Sequence, residues 1–298
     1  MLQSTDGVAA IGDELDAADA ALPRNGPLVS IVVPTYNRRE RLRGALQSVA
    51  NQHYDSVEMV VVNDGGVDIA DIVASFPRAR LIENGRNLGV TPSVNAGIAA
   101  ARWEYLCFLE DDDFLKPYHV ARLVAALECS KADVAHSKEL ALHHEAQPDG
   151  SYSLCGHHVG APIPTHPDDM LVSNRIGGPS VMVRRRALDA VGSFDAAMRH
   201  GSDFEMWMRL SRTRDFVFVN HVTAHLFMRN DNSQLSSVSG AETAEIMKRI
   251  YDKHPVAERL LLETARTQAL AICAEKSVVR SVPVCVLNEQ DRRELGIG

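Results

Sequence analysis

The stretch Tyr105-Leu106-Cys107-Phe108-Leu109-Glu110-Asp111-Asp112-Asp113-Phe114-Leu115-Lys116-Pro117 decides how this chain folds. Tyr105 to Leu109 is an unbroken apolar run and reads as a strand buried on both faces. The carboxylates Glu110 to Asp113 follow at once, so they emerge at the strand's carboxyl end. In an open α/β sheet that edge is where ligands bind. Carboxylates this close repel one another, and a cation that offsets them would be hard, magnesium or manganese, because the ligands are oxygens. Taken alone, such a run reads more readily as a solvated acidic turn. The flanking sequence has to decide between the two.

Working outward, the same alternation recurs. Residues 28–34 (LVSIVVP) and Val57–Val62 are buried strands, and Ala79–Ile82 is a third. Between them Arg38–Ala50 carries Leu42, Ala45, Leu46 and Val49 at helical spacing, Ile69–Phe76 is a short helix, and Gly89–Ala101 is another. After the acidic cluster come a helix over Pro117–Cys129, with proline in its first turn, and a strand over Asp133–Ser137. This pattern predicts an α/β fold with a mostly parallel central sheet and helices on both faces. Three strand ends would line one edge of it: Pro34-Thr35-Tyr36-Asn37, Asn63-Asp64-Gly65-Gly66, and Glu110–Asp113.

Residues 138–178 break the rhythm with Pro148, Pro162, Pro164 and Pro167 and read as a long irregular loop. Its vicinity is rich in histidine (His136, His143, His144, His157, His158, His166) around Cys155, at a spacing that fits no zinc pattern. The segment reads as part of a lid or as a solvated loop. Beyond it, Ser180–Val183 is a strand, Ala187–Val191 and Asp203–Ser211 are helices, and Phe216–Leu226 is strand-like. Ala241–Lys276 is helical with an interruption at His254-Pro255, which predicts a C-terminal helical extension.

Composition narrows the function classes. The chain has 298 residues, 45% of them hydrophobic, and a net charge of -8, which argues against a nucleic-acid surface. Its 5 cysteines are odd in number and lack a CxxC spacing, as expected of reduced thiols in a cytoplasmic protein. No apolar run reaches the ~18 residues of a membrane span, and the first residues lack the pattern of a signal peptide. Residues 1–27 read as a tail with an amphipathic stretch around Ile11–Leu22. The G-x-G-x-x-G and G-x-x-x-x-G-K-[ST] phosphate loops are both absent, so a bound diphosphate would be held in another way.

In this order the motifs resemble the inverting family 2 glycosyltransferases, which have the A-type nucleotide-sugar fold, a Rossmann-like sheet. The matching stretches are VSIVVPTYNR (Val29–Arg38), EMVVVNDGG (Glu58–Gly66), NLGVTPSVNAGI (Asn87–Ile98), YLCFLEDDDFLKP (Tyr105–Pro117), GGPSVMVRRRAL (Gly177–Leu188), VGSFDAAM (Val191–Met198) and SDFEMWMRL (Ser202–Leu210). The resemblance spans about residues 28–236. It implies a nucleotide-binding part over 28–137, an acceptor-binding part of the same domain over 138–236, and the helical extension over 237–298.

The resemblance also implies roles. Pro34, Thr35, Tyr36, Asn37, Arg38, Asp64, Asn87, Asn95 and Asp111 would bind the nucleotide, with Asp64 on the imide N–H of a pyrimidine. Asp112 and Asp113 would hold a divalent cation, manganese or magnesium, and Asp203 would be the catalytic base. Gly178, Pro179, Ser180, Trp207, His225, Arg229 and Asp231 would shape the acceptor side. Blander readings stand beside these: a turn-capping Asp64, a helix-start carboxylate for Asp203, a core Trp207. Departures from the family pattern are Ser202 before the base where Glu is common, Val94 before Asn95 where Arg is common, and Asp231 where His is common.

The expected activity is metal-dependent transfer of a sugar from a nucleotide diphosphate sugar, UDP-linked by family habit, to an acceptor hydroxyl. The acceptor could be a sugar, a lipid-linked or a small molecule, and the protein a homodimer, cytoplasmic or peripheral at a membrane. Two rivals are a sugar nucleotidyltransferase and a non-catalytic nucleotide-sugar-binding protein.

Overall fold

Strand β1 (Val29–Thr35) runs through the middle of the parallel half of the sheet, and its alternating side chains seed a core on each face. In the computed structural model, residues 19, 21–102, 104–160, 167–229, 239–256 and 259–275 are described. On one edge β1 pairs in parallel with β2 (Val57–Asn63), which pairs with β3 (Ala79–Glu83). On the other edge it pairs in parallel with β4 (Tyr105–Phe108). Helix α1 (Arg39–Ala50) follows β1, α2 (Ala70–Ala74) follows β2, and α3 (Val90–Ala100) follows β3.

β5 (Phe114–Leu115) and α4 (His119–Ser130) follow the acidic cluster. Next come β6 (Val134–Ala146), β7 (Tyr152–Gly160) and the one-turn helix α5 (Pro167–Met170). β8 (Val181–Arg184), α6 (Arg185–Val191), α7 (Ser202–Ser211) and β9 (Phe216–Arg229) follow, and α8 (Gly240–Lys253) and α9 (Leu260–Glu275) end the described chain. The sheet continues from β4 through β8, β6 and β9 to β5. β8 is antiparallel to both β4 and β6, while β6 and β9 run parallel. The sheet is therefore mixed, parallel at the end that carries the acidic cluster.

On one face Ile31, Val33, Met59, Val61 and Cys107 pack against α1, α2 and α4. On the other Val32, Val60, Leu106, Phe108 and Val183 pack against α7, α8 and α9. Each such side chain contributes about 1.5–3 kcal/mol on burial. The C-terminal helices thus join the core, and the break between them falls at the expected His254-Pro255. Among the described residues no helix is long and apolar enough to cross a membrane. Among the described residues Cys107, Cys129 and Cys155 are free thiols.

The irregular loop expected over 138–178 is replaced over most of its length by regular structure. β6 continues to Ala146 and turns back as the antiparallel hairpin strand β7. Strand periodicity is masked there because β6 is buried at consecutive positions, on both faces; β9 lies along one edge, and β8 then β7 along the other. The turn itself has a signal, Pro148-Asp149-Gly150, with Gly150 at φ +81°. The histidines are distributed along the hairpin rather than clustered. His143 and His158 stack across it with ring nitrogens 2.7 Å apart, His144 stacks on Phe227, and His136 is buried beside Phe218. His166 lies outside the described residues, as do residues 1–18 and everything after 275.

Gly97 sets how closely α3 lies on the sheet, since a Cβ there would overlap Val32 Cγ1 and press on Val62. Gly97→Ala would gain about 1 kcal/mol of helix propensity. Overpacking against two buried valines costs ~1–3 kcal/mol. The expected net result is a lower unfolding midpoint in urea, and an unchanged midpoint would show that α3 can slide outward freely.

Candidate active site

All three strand-end turns meet at one edge, where they form the wall of a cavity of about 1060 Å³. Pro34, Thr35, Tyr36 and Arg38 line it from β1, Asp64 from β2, and Glu110, Asp111 and Asp113 from β4. Asp203 faces the same space from the start of α7.

The β2 turn is built around Asp64. Its Oδ1 accepts from the Leu88 amide and the Asn84 side chain, both at 2.9 Å, and its Oδ2 accepts from the Gly89 amide at 2.8 Å. Asp64 therefore holds the loop ahead of α3 against the strand end. A carboxylate has room for about four such bonds. Gly65 sits at φ +71°, and any Cβ there would overlap the Arg86 backbone, so the close approach of turn and loop requires glycine. Asn87 lines the cavity from that loop. Two other expected nucleotide contacts serve the scaffold instead. Asn37, at φ +57°, accepts from the Val67 amide at 2.9 Å and lies off the wall. Asn95 spends both ends of its amide on the Phe194 backbone, at 2.8 and 3.0 Å, and pins α3 to the loop ahead of α7.

The acidic cluster is partly neutralised by arginine. Thr35 Oγ1 donates to Asp111 at 2.7 Å, and Arg38 Nη1 lies 2.9 Å from its other oxygen. Asp112, 3% exposed, is not on the cavity wall. Its Oδ2 receives Arg38 at 3.3 Å, Arg41 at 3.4 Å and Arg229 at 3.2 Å. Arg229 is among the residues expected near the site; Arg41 is not. The signal for Arg41 is its place in the first turn of α1, three residues after Arg38. Its guanidinium also lies over the rings of Phe227 and Tyr152, at 4.7 and 5.1 Å.

Asp113 Oδ1 accepts from the Phe227 amide at 2.8 Å and ties β9 to the cluster. Burial, then repulsion from Glu110 and Asp112, holds the Asp113 carboxyl well above its ordinary range. Glu110 keeps water access but is raised too, by the desolvating cavity walls and then by Asp112, Asp111 and Asp203. Glu110 and Asp113 are therefore the carboxyls whose ionisation the arginines support least, and a further cation beside them would favour their charged form. The donor set, hard carboxylate oxygens, fits a divalent cation. Asp112 would have to loosen its arginine contacts to join it. Among the described residues no three His, Cys, Asp or Glu side chains are already gathered as ligands.

Asp203 lies in the first turn of α7. Burial raises its carboxyl, and the Phe204 amide, the Asn174 side chain and its own amide pull it back. Asn174 Nδ2 donates to Asp203 Oδ2 at 2.8 Å, a contact no sequence motif pointed to. Ser202 is engaged elsewhere, its Oγ accepting from Thr91 at 3.0 Å. Gly178 and Pro179 line the cavity, whereas Ser180 is buried and donates to the Gly177 carbonyl at 2.9 Å. Trp207, a candidate sugar-stacking ring, is fully buried against Phe108 and Phe194, and all three border the cavity. His225 pairs across from Phe114 in the β9–β5 ladder, off the wall that its neighbours Leu226 to Met228 form. Asp231 lies outside the described residues. Val94 adds an apolar patch to the wall, and Arg86 does not reach it.

Comparison with known proteins agrees with this arrangement. The family model described as "Glycosyl transferase family 2" matches residues 30–138, which hold the three strand-end turns. An uncharacterized glycosyltransferase of Bacillus subtilis, YwdF, is 26% identical over 232 residues, covering 77% of this chain and 85% of that protein. The chondroitin synthase of Pasteurella multocida is 25% identical over 221 residues, 71% of this chain but only 22% of the synthase. Among solved structures, residues 1–349 of S. aureus TarS in complex with UDP-GlcNAc superpose with a TM-score of 0.62. That match is 18% identical and covers 81% of this chain and 71% of the other. At that identity it speaks for the fold, a glycosyltransferase A-type sheet. The family match falls on the very turns that wall the cavity: residues 30–138 match glycosyl transferase family 2, the curated relatives are glycosyltransferases, and the chain is a glycosyltransferase.

Proposed function

We propose that the protein transfers a sugar from a nucleotide diphosphate sugar, UDP-linked, to an acceptor hydroxyl, with inversion at the anomeric carbon and dependence on a divalent cation. The observation that carries this reading is one cavity with Thr35, Asp64 and the acidic cluster on one wall and Asp203 on another. The UDP-GlcNAc bound by TarS, which shares the fold, supports a uridine donor.

In this reading Tyr36, Asp64 and Asn87 hold the base, and Thr35 with Asp111 holds the ribose. Arg38 meets the diphosphate. Asp112 and Asp113 would hold the cation, manganese or magnesium, which when bound supplies Lewis-acid stabilisation of the leaving diphosphate. Asp203 accepts the proton of the acceptor hydroxyl. The acceptor oxygen forms its bond to the anomeric carbon as the carbon–phosphate-oxygen bond breaks, and that electron pair stays on the diphosphate. Attack opposite the leaving group inverts the centre. The polymer named by the chondroitin synthase relative supports a sugar hydroxyl as the acceptor.

Calorimetric titration of UDP, dTDP and GDP, each with and without manganese, tests the donor half. UDP is expected to bind, and more tightly with manganese. Absence of binding by all three in both conditions would overturn the reading, and preference for another base would correct the donor.

A further inference from the structure

One carboxylate on the cavity wall has no part in the scheme above. Glu139, in β6, lines the cavity, and its Oε2 is buried without a hydrogen-bond partner. Space has been cleared for it by glycine on both sides. A Cβ at Gly177 would overlap Glu139 Oε2, and one at Gly160 would come within 3.0 Å of its Cγ. Leaving a buried acceptor unpaired costs about 1–3 kcal/mol. A group that serves only the fold would have been paired or replaced by an apolar residue.

Its surroundings indicate what it faces. Burial pushes the Glu139 carboxyl up to about 7, and the charge of Asp203 adds to that push. The Ser180 hydroxyl and the Gly177 amide pull it partly back. Gly178 and Pro179, between those two, are on the wall beside it. The position before Asp203, meanwhile, holds Ser202, whose hydroxyl is committed to Thr91. The carboxylate that senses Asp203 thus comes from strand β6, 64 positions earlier in sequence by the numbers of the two residues.

From this geometry we infer that Glu139 is the acceptor-positioning residue: its Oε2 hydrogen-bonds a second hydroxyl of a polyhydroxylated acceptor, next to the hydroxyl that Asp203 deprotonates. Oε2 stays unpaired until that hydroxyl arrives, and the acceptor class is a pyranoside with adjacent free hydroxyls. The inference rests on the proposed transfer reaction, with Asp203 as its base.

The test uses the full chain, UDP-GlcNAc as donor, and the nitrophenyl glycosides of glucose, galactose, N-acetylglucosamine, N-acetylgalactosamine and rhamnose as acceptors. Glu139→Gln and Glu139→Leu are compared with wild type in three readouts. UDP affinity and hydrolysis of UDP-GlcNAc by water are expected within about twofold of wild type, since neither involves a second hydroxyl. Transfer kcat/KM is expected to fall about 30-fold in Glu139→Leu, mostly through acceptor KM, with partial rescue in Glu139→Gln, as for a lost hydrogen bond to a charged group. The melting temperature of Glu139→Leu is expected to rise by about 3 °C, because an unpaired buried carboxylate is removed. A lower melting temperature would make Glu139 a structural residue, and unchanged acceptor KM would remove it from the acceptor site; either result overturns the inference. If wild type uses none of the glycosides, the melting temperature decides alone. Wild type that neither binds UDP nor consumes UDP-GlcNAc would instead overturn the transfer reading itself.

Discussion

Asp203→Asn is expected to leave UDP affinity within about twofold of wild type and to lower transfer by roughly 10³-fold, inside the 10²–10⁴ range of general-base catalysis. The substitution preserves shape and keeps an oxygen for Asn174, whose amide donates to Asp203 Oδ2 at 2.8 Å. It removes only the capacity to take a proton. The pH profile separates this role from a purely structural one. Burial raises the Asp203 carboxyl above its ordinary range. A base works only when ionised, so activity is lost as pH falls through that raised value, and the acid limb of kcat/KM lies above the ordinary carboxylate range. Asn174→Ala removes a bond that favours the ionised form, so its acid limb moves further up. Asp203→Asn turning over near the wild-type rate would place the base elsewhere. An unmoved limb in Asn174→Ala would mean that another group titrates.

The part of this site that is legible in the sequence lies where the chain is simple. β1, β2 and β4 are buried on both faces, so each is a continuous apolar run, and the polar turn after each is visible by contrast. That contrast alone assigns the acidic cluster and Asp64 to one sheet edge. β6 and β7 carry Lys138, Glu139 and the histidines among small apolar residues, and partners on both edges of β6 supply what the pattern lacks. A hairpin thus reads as a loop. Glu139 and Asn174 belong to no motif; they reach the cavity through tertiary pairing, Glu139 between β7 and β9 and Asn174 against the start of α7. Trp207 has two open readings in the sequence because helical spacing cannot say which face of α7 is covered. The answer comes from Phe108 and Phe194, neither of them near it in sequence.

The arginines around Asp112 give the cation assignment its sharpest consequence. Charge repulsion within the cluster calls for a metal to offset it, yet Arg38, Arg41 and Arg229 already converge on Asp112 Oδ2. A cation therefore competes with guanidinium for this carboxylate. Asp112→Ala is a poor probe, because it breaks the buried Asp112–Arg229 pair, a change that costs about 3–5 kcal/mol. Asp112→Asn keeps an oxygen toward the arginines and removes the charge. It is expected to fold, with a lower melting temperature, and to lose the manganese-dependent part of UDP affinity, while affinity without manganese holds or improves because the guanidinia are freed for the diphosphate. Arg229→Met changes the balance the other way: it takes one competitor from Asp112 and is expected to tighten manganese binding. Opposite signs at the two positions are the mark of competition for one carboxylate. If Asp112→Asn binds UDP in excess manganese as wild type does, the cation is held elsewhere, and the carboxylates that already face the cavity, Glu110, Asp111 and Asp113, become its ligands.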